Sequence, residues 1–235
     1  MKNSSTCFAF VLAFLCFNNA LANKDCLKLD FSVTQDIQGY GFHRVAKWLI
    51  EASLNKEQWV KSLCEIIFHL NLPPPLFVNP DEVADLKRLN KLDVVIDGAV
   101  DIEVPAHKAT EHNVYVFFNN SQIEKLPLSL PIHLRYQRAQ ITGGFAKVSF
   151  PKPSLLTWCP KSQHKICGKE VKAPVLHMTS TKIWYNISYK ALFDDIELYV
   201  PVGDLDHYPI VAISTLLLGC AGCIYILSIL STTHL

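Results

Sequence analysis

Twenty-one consecutive residues, Ile210 to Leu230, carry no charge and no proline. At about 1.5 Å of rise per residue, a helix of this length crosses the roughly 30 Å hydrocarbon core of a bilayer. Lipid offers the backbone no hydrogen-bond partners, so an apolar run this long is read as one transmembrane helix. Five residues, Ser231 to Leu235, follow it. The folded mass is therefore expected on the amino-terminal side of the membrane.

The amino terminus sets which side that is. Lys2 precedes an apolar run from Cys7 to Phe17, and Ala20-Leu21-Ala22 supplies the small residues of a cleavage site. This is the pattern of a signal peptide, too short for a second span. The expected organisation is a signal peptide at 1–22, a lumenal domain at 23–209, a transmembrane helix at 210–230 and a cytosolic tail at 231–235. That is a single-pass type I protein. The tail holds no Lys or Arg, so orientation rests on the signal alone. A GPI-attachment signal also ends in an apolar tail, but no small-residue triplet with a polar spacer precedes this one.

Charge is nearly balanced, with 22 Lys plus Arg against 21 Asp plus Glu. No basic stripe with interleaved aromatics is present, which argues against nucleic acid as a partner. Of eight cysteines, Cys7 and Cys16 fall in the signal and Cys220 and Cys223 in the span. Cys26, Cys64, Cys159 and Cys167 remain for an oxidising lumen, where two disulfides are expected. Three connectivities are open; Cys159 with Cys167 is the easiest local pair, which leaves Cys26 with Cys64. Sequons at Asn119 and Asn186 fit glycosylation in the same compartment.

The lumenal segment reads mainly as strands. Leu27, Leu29, Phe31 and Val33 alternate with polar residues in a half-buried strand. From Val45 to Leu70 the apolar residues recur at helical intervals, which predicts two short helices, although Ile66-Ile67-Phe68 fits a strand equally. Asn79-Pro80-Asp81-Glu82 is a helix start, with Asn as cap and Pro in the first turn. Alternation over Ile96–Val104 predicts a strand, and Val114–Phe118, Ile132–Tyr136, Phe145–Phe150, Ile183–Tyr189 and Ile196–Val202 add five more. Short alternating strands at this spacing predict a mainly β, antiparallel sandwich-like domain with a few short helices.

No catalytic constellation stands out. The lumenal histidines are scattered, His107 and His112 are not at helical spacing, and no H-E-x-x-H occurs, so neither a metal nor another cofactor is expected. Cys220-Ala221-Gly222-Cys223 imitates a redox motif but lies in an apolar span, where small residues serve packing. Asp204-Leu205-Asp206 has the D-x-D spacing with which sugar transferases hold a metal–nucleotide. It falls in the linker just before the membrane, beside a chain of antiparallel strands rather than an α/β crevice. A sugar transferase using Asp204 and Asp206 and a cell-surface receptor or adhesion ectodomain are the alternative readings. Within the span, Ala212, Thr215, Gly219 and Gly222 share one narrow arc, a surface on which another helix can approach closely in lipid.

Five motifs carry a resemblance. Gly41-Phe42-His43-Arg44, Leu76-Phe77-Val78-Asn79-Pro80-Asp81-Glu82, Val100-Asp101-Ile102-Glu103-Val104-Pro105-Ala106-His107, Leu130-Pro131-Ile132-His133-Leu134-Arg135-Tyr136-Gln137 and Val200-Pro201-Val202-Gly203 resemble the PIG-X family, in order and over most of the mature chain. The resemblance implies a non-catalytic subunit of GPI mannosyltransferase I in the endoplasmic reticulum membrane. Such a subunit stabilises a multispanning catalytic subunit of the PIG-M type, which transfers the first mannose from dolichol-phosphate-mannose during GPI-anchor biosynthesis. Along the strand Ile132–Tyr136, alternation turns Ile132, Leu134 and Tyr136 inward. His133, Arg135 and Gln137 then face outward as candidates for partner contact.

Overall fold

The computed structural model describes residues 26–54, 64–118, 127–162, 165–176 and 180–232. The expected signal segment 1–22, the sequon at Asn119, the stretch around Trp59 and the last residues of the expected tail lie outside the described residues.

In chain order the described strands begin with β1 (Cys26–Leu27), β2 (Asp30–Gln38), β3 (His43–Leu54), β4 (Glu65–Leu72) and β5 (Leu76–Phe77). Helix α1 (Pro80–Arg88) precedes β6 (Asp93–Asp97), β7 (His112–Phe118) and β8 (Leu128–Leu134). Then come β9 (Phe145–Phe150), β10 (Ser154–Trp158), β11 (Lys165–Ile166), β12 (Lys169–Pro174) and β13 (Thr181–Ile187). The strands β14 (Lys190–Ala191) and β15 (Ile196–Pro201) lead to the apolar helix α2 (Tyr208–Thr232).

Two sheets make the body. One runs β12-β13-β10-β4-β7-β6 and the other β14-β2-β3-β8-β5, with a β15-β9 ribbon and a short β1-β11 pair beside them. All partners in the six-stranded sheet are antiparallel. The inner faces of both sheets and the ribbon share one core: Phe31, Val33, Ala46, Trp48, Leu130 and Ile132 meet Ile66, Phe68, Leu70, Val114 and Val116, with Val148 and Phe150 from the ribbon. Trp48 ties the three layers, its ring centroid 5.7 Å from that of Phe68 and 6.2 Å from that of Phe150. The chain is thus mainly β, antiparallel and sandwich-like, as the alternating pattern predicts.

Three elements differ from the sequence reading. The helical pattern over 45–70 is β3 and β4 where the chain is described. In β3 the buried side chains are Ala46, Trp48 and Ile50, a period of two masked by half-buried Val45 and Leu49 on the other face. In β4 both faces are covered: Ile66, Phe68 and Leu70 enter the main core, while Ile67 joins Tyr115, Phe117, Leu156 and Trp184 in a second cluster. A strand buried on both faces has no polar alternation to show. The strand expected over 96–104 stops at Asp97, because Gly98 turns the chain at φ 115° and a Cβ there would stand 3.2 Å from the Cβ of His112.

The third difference is the disulfides, which pair Cys26 with Cys167 and Cys64 with Cys159 rather than the local Cys159–Cys167 pair. Sheet register decides this. Trp158 is the partner of Glu65 in the β10–β4 ladder, so the next residues along, Cys159 and Cys64, are neighbours. Likewise β1 aligns with β11, and the Cys167 amide donates to the Leu27 carbonyl.

Helix α2 is 25 residues long, with no buried residue, and with the turn before it forms the one helix among the described residues long and apolar enough to cross a membrane. Among the described residues, nothing stands within 4 Å of a Cβ added at Gly219 or Gly222.

Candidate functional site

The motifs that are dispersed in sequence converge on one end of the five-stranded sheet. β3 opens at His43, whose Cα partner on β8 is His133; His133 is in turn the partner of Phe77 on β5. His43, His133 and Phe77 therefore stand in a row across three strands. Two residues beyond Phe77, Asn79 caps α1 by accepting a hydrogen bond from the Asp81 amide, and Pro80 opens the helix. The first turn of α1 brings the Glu82 carboxylate to the two histidines. His133 Nε2 lies 2.8 Å from Glu82 Oε2, and His43 Nε2 lies 3.9 Å from Glu82 Oε1. The Phe77 ring stacks on His133 at 5.0 Å, and the two imidazoles meet edge-on at 4.8 Å.

The neighbouring motifs lock this corner. The Leu134 amide donates to the Phe42 carbonyl, the Arg135 amide to the Pro75 carbonyl and the Ala106 amide to the Tyr136 carbonyl. Arg44 donates to the carbonyls of Gly39, Gly41 and Tyr199, which joins the start of β3 to β15 and so to the segment entering the membrane. Gly39 is needed for that clasp: its φ of 98° is left-handed, and an added Cβ would stand 3.0 Å from the His43 carbonyl oxygen. Phe42 and Tyr136 pack ring to ring at 4.6 Å.

The outward face expected for His133, Arg135 and Gln137 does not survive intact. β8 ends at Leu134, so alternation stops there: Arg135 is 4% exposed and Tyr136 71% exposed, the reverse of the expected orientation. Arg135 Nη1 donates to the carbonyls of Asp101 and Val104 at 2.5 and 2.7 Å. Burial lowers its affinity for the proton, and the nearby Asp101 charge opposes that effect. Gln137 is half-buried and donates back to the Arg135 carbonyl, while His133 is half-buried against Glu82. Within this chain the Arg135 guanidinium is engaged with backbone carbonyls and positions the 101–104 loop.

Other expected residues fall elsewhere. Asp204 Oδ1 accepts from the Asp206 amide, and Asp206 Oδ2 accepts from the Thr142 amide, so both carboxylates of the D-x-D fasten the turn before α2. The backbone bonds from Gln140 to Gly203 and from Leu205 to Gln140 complete this clamp. Asn186 lies within β13, half-buried and flanked by β10 and β12. Ala212, Thr215, Gly219 and Gly222 lie on α2 away from the corner, with Thr215 bonded back to Val211 and Ala212. The sequence reading missed His43 and Glu82. Each lies inside a motif beside His133 or a helix cap, but only the β3–β8 register shows that they meet.

A family model described as PIG-X / PBN1 matches residues 39–231. This chain belongs to the PIG-X family. The match begins at Gly39, where the Arg44 clasp begins, and it runs through the His43–Glu82–His133 corner into α2. A human protein named GPI alpha-1,4-mannosyltransferase I, stabilizing subunit, is 28% identical over 191 residues, covering 78% of this chain and 73% of that protein. The mouse protein of the same name is 28% identical over 186 residues, covering 76% of this chain and 72% of that protein. No solved structure matches.

Proposed function

We propose that this chain is the stabilising, non-catalytic subunit of GPI mannosyltransferase I. In this reading it is a type I protein of the endoplasmic reticulum that holds a multispanning catalytic subunit of the PIG-M type. That enzyme transfers the first mannose onto the GPI precursor from dolichol-phosphate-mannose. The observation that carries the reading is the PIG-X match across the sandwich and the span, together with relatives that bear this subunit's name. The geometry agrees with it: the D-x-D carboxylates are engaged in a turn, and a sandwich is tied through Arg44 and β15 to the segment leading into the apolar helix α2. Such a molecule offers one partner both a sandwich and a membrane helix at once.

The test is deletion of the gene in cells of the source organism, followed by measurement of surface GPI-anchored proteins and of catalytic-subunit abundance. The expected result is that both fall together and that re-expression restores both. Loss of mannose transfer with the catalytic subunit at its normal level overturns the reading and favours an enzyme.

A further inference from the structure

We propose that His43, His133 and Glu82 form a binding site for a divalent transition-metal ion of the zinc class. The donor atoms, two imidazole nitrogens and a carboxylate oxygen, all lie within 4.8 Å of one another. Around a tetrahedral zinc with ligand bonds of about 2.1 Å, donor atoms stand roughly 3.4 Å apart. His133 Nε2 stands 2.8 Å from Glu82 Oε2 and His43 Nε2 stands 3.9 Å from Glu82 Oε1, so each imidazole faces its own oxygen of the one carboxylate at close to that spacing. The His43 side chain is 54% exposed at the start of its strand, so it has room to adjust toward Glu82.

The ligand chemistry selects the ion. Two imidazoles with one carboxylate suit zinc and its neighbours, whereas calcium and magnesium take oxygen ligands. Three protein ligands leave one position open, and the exposure of His43 puts it within reach of water. A simple hydrogen bond from His133 to Glu82 accounts for only one of the two imidazoles. The second Nε2 turns to the same carboxylate from the adjacent strand, and a shared cation explains why both rings converge there.

The frame is stiff enough to hold such a site. His43 and His133 are fixed as Cα partners in the β3–β8 ladder, and His133 is further held by its stack on Phe77. Glu82 is set by a capped helix turn that begins at Pro80. Each donor therefore comes from a different element, and none depends on a long loop.

The experiment uses the full chain in nanodiscs, produced without a histidine tag, stripped of metal and titrated with zinc chloride and with cobalt chloride. One ion per chain is expected, and cobalt should give the strong visible absorption of a four- or five-coordinate centre. His43→Ala, His133→Gln and Glu82→Gln should each weaken zinc binding at least tenfold, while His207→Gln should leave it unchanged. Glu82→Gln keeps the shape and a hydrogen-bonding group, so lost binding with an unchanged unfolding temperature reads the metal rather than the fold. Zinc binding unchanged in all three variants, or cobalt showing only the weak spectrum of its aqueous ion, overturns the proposal. If His133→Gln fails to accumulate, the wild-type cobalt spectrum and Glu82→Gln decide the matter.

Discussion

The guanidinium of Arg135 lies over the ring of Phe77, 4.5 Å from its centroid. From there Arg135 holds the carbonyls of Asp101 and Val104. Alanine at this position would leave both carbonyls without their charged donor and open a hole beside Phe77. The expected cost is on the order of 3 kcal/mol, since hydrogen bonds to charged groups contribute about 1.5–3 kcal/mol each and the losses overlap. Denaturant unfolding of the full chain checks this. A change below about 1 kcal/mol would show that the 101–104 loop does not depend on Arg135.

Cys26–Cys167 spans 141 residues and Cys64–Cys159 spans 95. Non-reducing peptide mapping should find these two pairs and no Cys159–Cys167 peptide. Paired replacement, Cys64→Ser with Cys159→Ser, avoids leaving a lone thiol in the core, where Cys64 is fully buried. Loss of a native disulfide from a secreted-type domain costs about 2–5 kcal/mol. The double variant should therefore unfold well below the parent temperature.

What could be read in the sequence was whatever alternates. β2, β9 and β15 each bury one face and expose the other, so Phe31 and Val33 or Leu198 and Val200 announce their strands. β4 stayed open between helix and strand, because Ile66, Ile67 and Phe68 are all fully buried and carry no period. The disulfides depended on ladder register, a property of two strands rather than of spacing. The same holds for the corner: His43, Glu82 and His133 lie far apart in the chain and only pairing brings them together. Arg135 misled for a local reason, since the strand that would have turned it outward ends one residue earlier.

His112 offers a pH dependence. It is 3% exposed, and burial lowers its pKa from the usual 6.5, with the Arg135 charge acting in the same direction and a backbone bond to Thr110 opposing them. The fold therefore keeps this ring neutral, while the unfolded chain takes up a proton once pH falls through about 6.5. Stability attached to neutral His112 is complete above that value and falls as the solution is acidified towards the lower folded-state pKa. His112→Phe removes the titrating group along with the unpaired Nε2. Unfolding temperatures measured at pH 7.5 and pH 5.5 should differ less in this variant than in the parent. An equal difference would show that His112 does not contribute to acid sensitivity.

Asp204 and Asp206 fasten the turn ahead of α2, so Asp204→Ala with Asp206→Ala should loosen that turn by about 1 kcal/mol per lost cap. Faster amide exchange at Thr142 and Asp206 would report the change. Mannose transfer in cells should stay near the parent level when the catalytic subunit is present at its usual abundance. Abolished transfer with that subunit unaltered would restore the D-x-D to a catalytic role.

The small-residue arc of α2 gives the last prediction, which follows from the proposed stabilising role. Among the described residues nothing stands within 4 Å of a Cβ added at Gly219 or Gly222, so larger side chains there start from open space. Leucine also makes the span more apolar, and insertion should be unaffected. Against a partner helix the outcome is different, because leucines hold the two backbones apart and forfeit packing on the order of 1 kcal/mol. A loss of that size lowers association several-fold. Gly219→Leu with Gly222→Leu should therefore reduce co-purification of the catalytic subunit and its steady-state level, while this chain is made in normal amount. The matched control is Ile213→Leu with Ile224→Leu, which alters the opposite side of the helix and should leave association unchanged. Equal recovery of the partner with both double variants would make α2 an anchor only. Recognition would then rest on the sandwich, and the first surface to probe would be the corner where Arg44 reaches Tyr199.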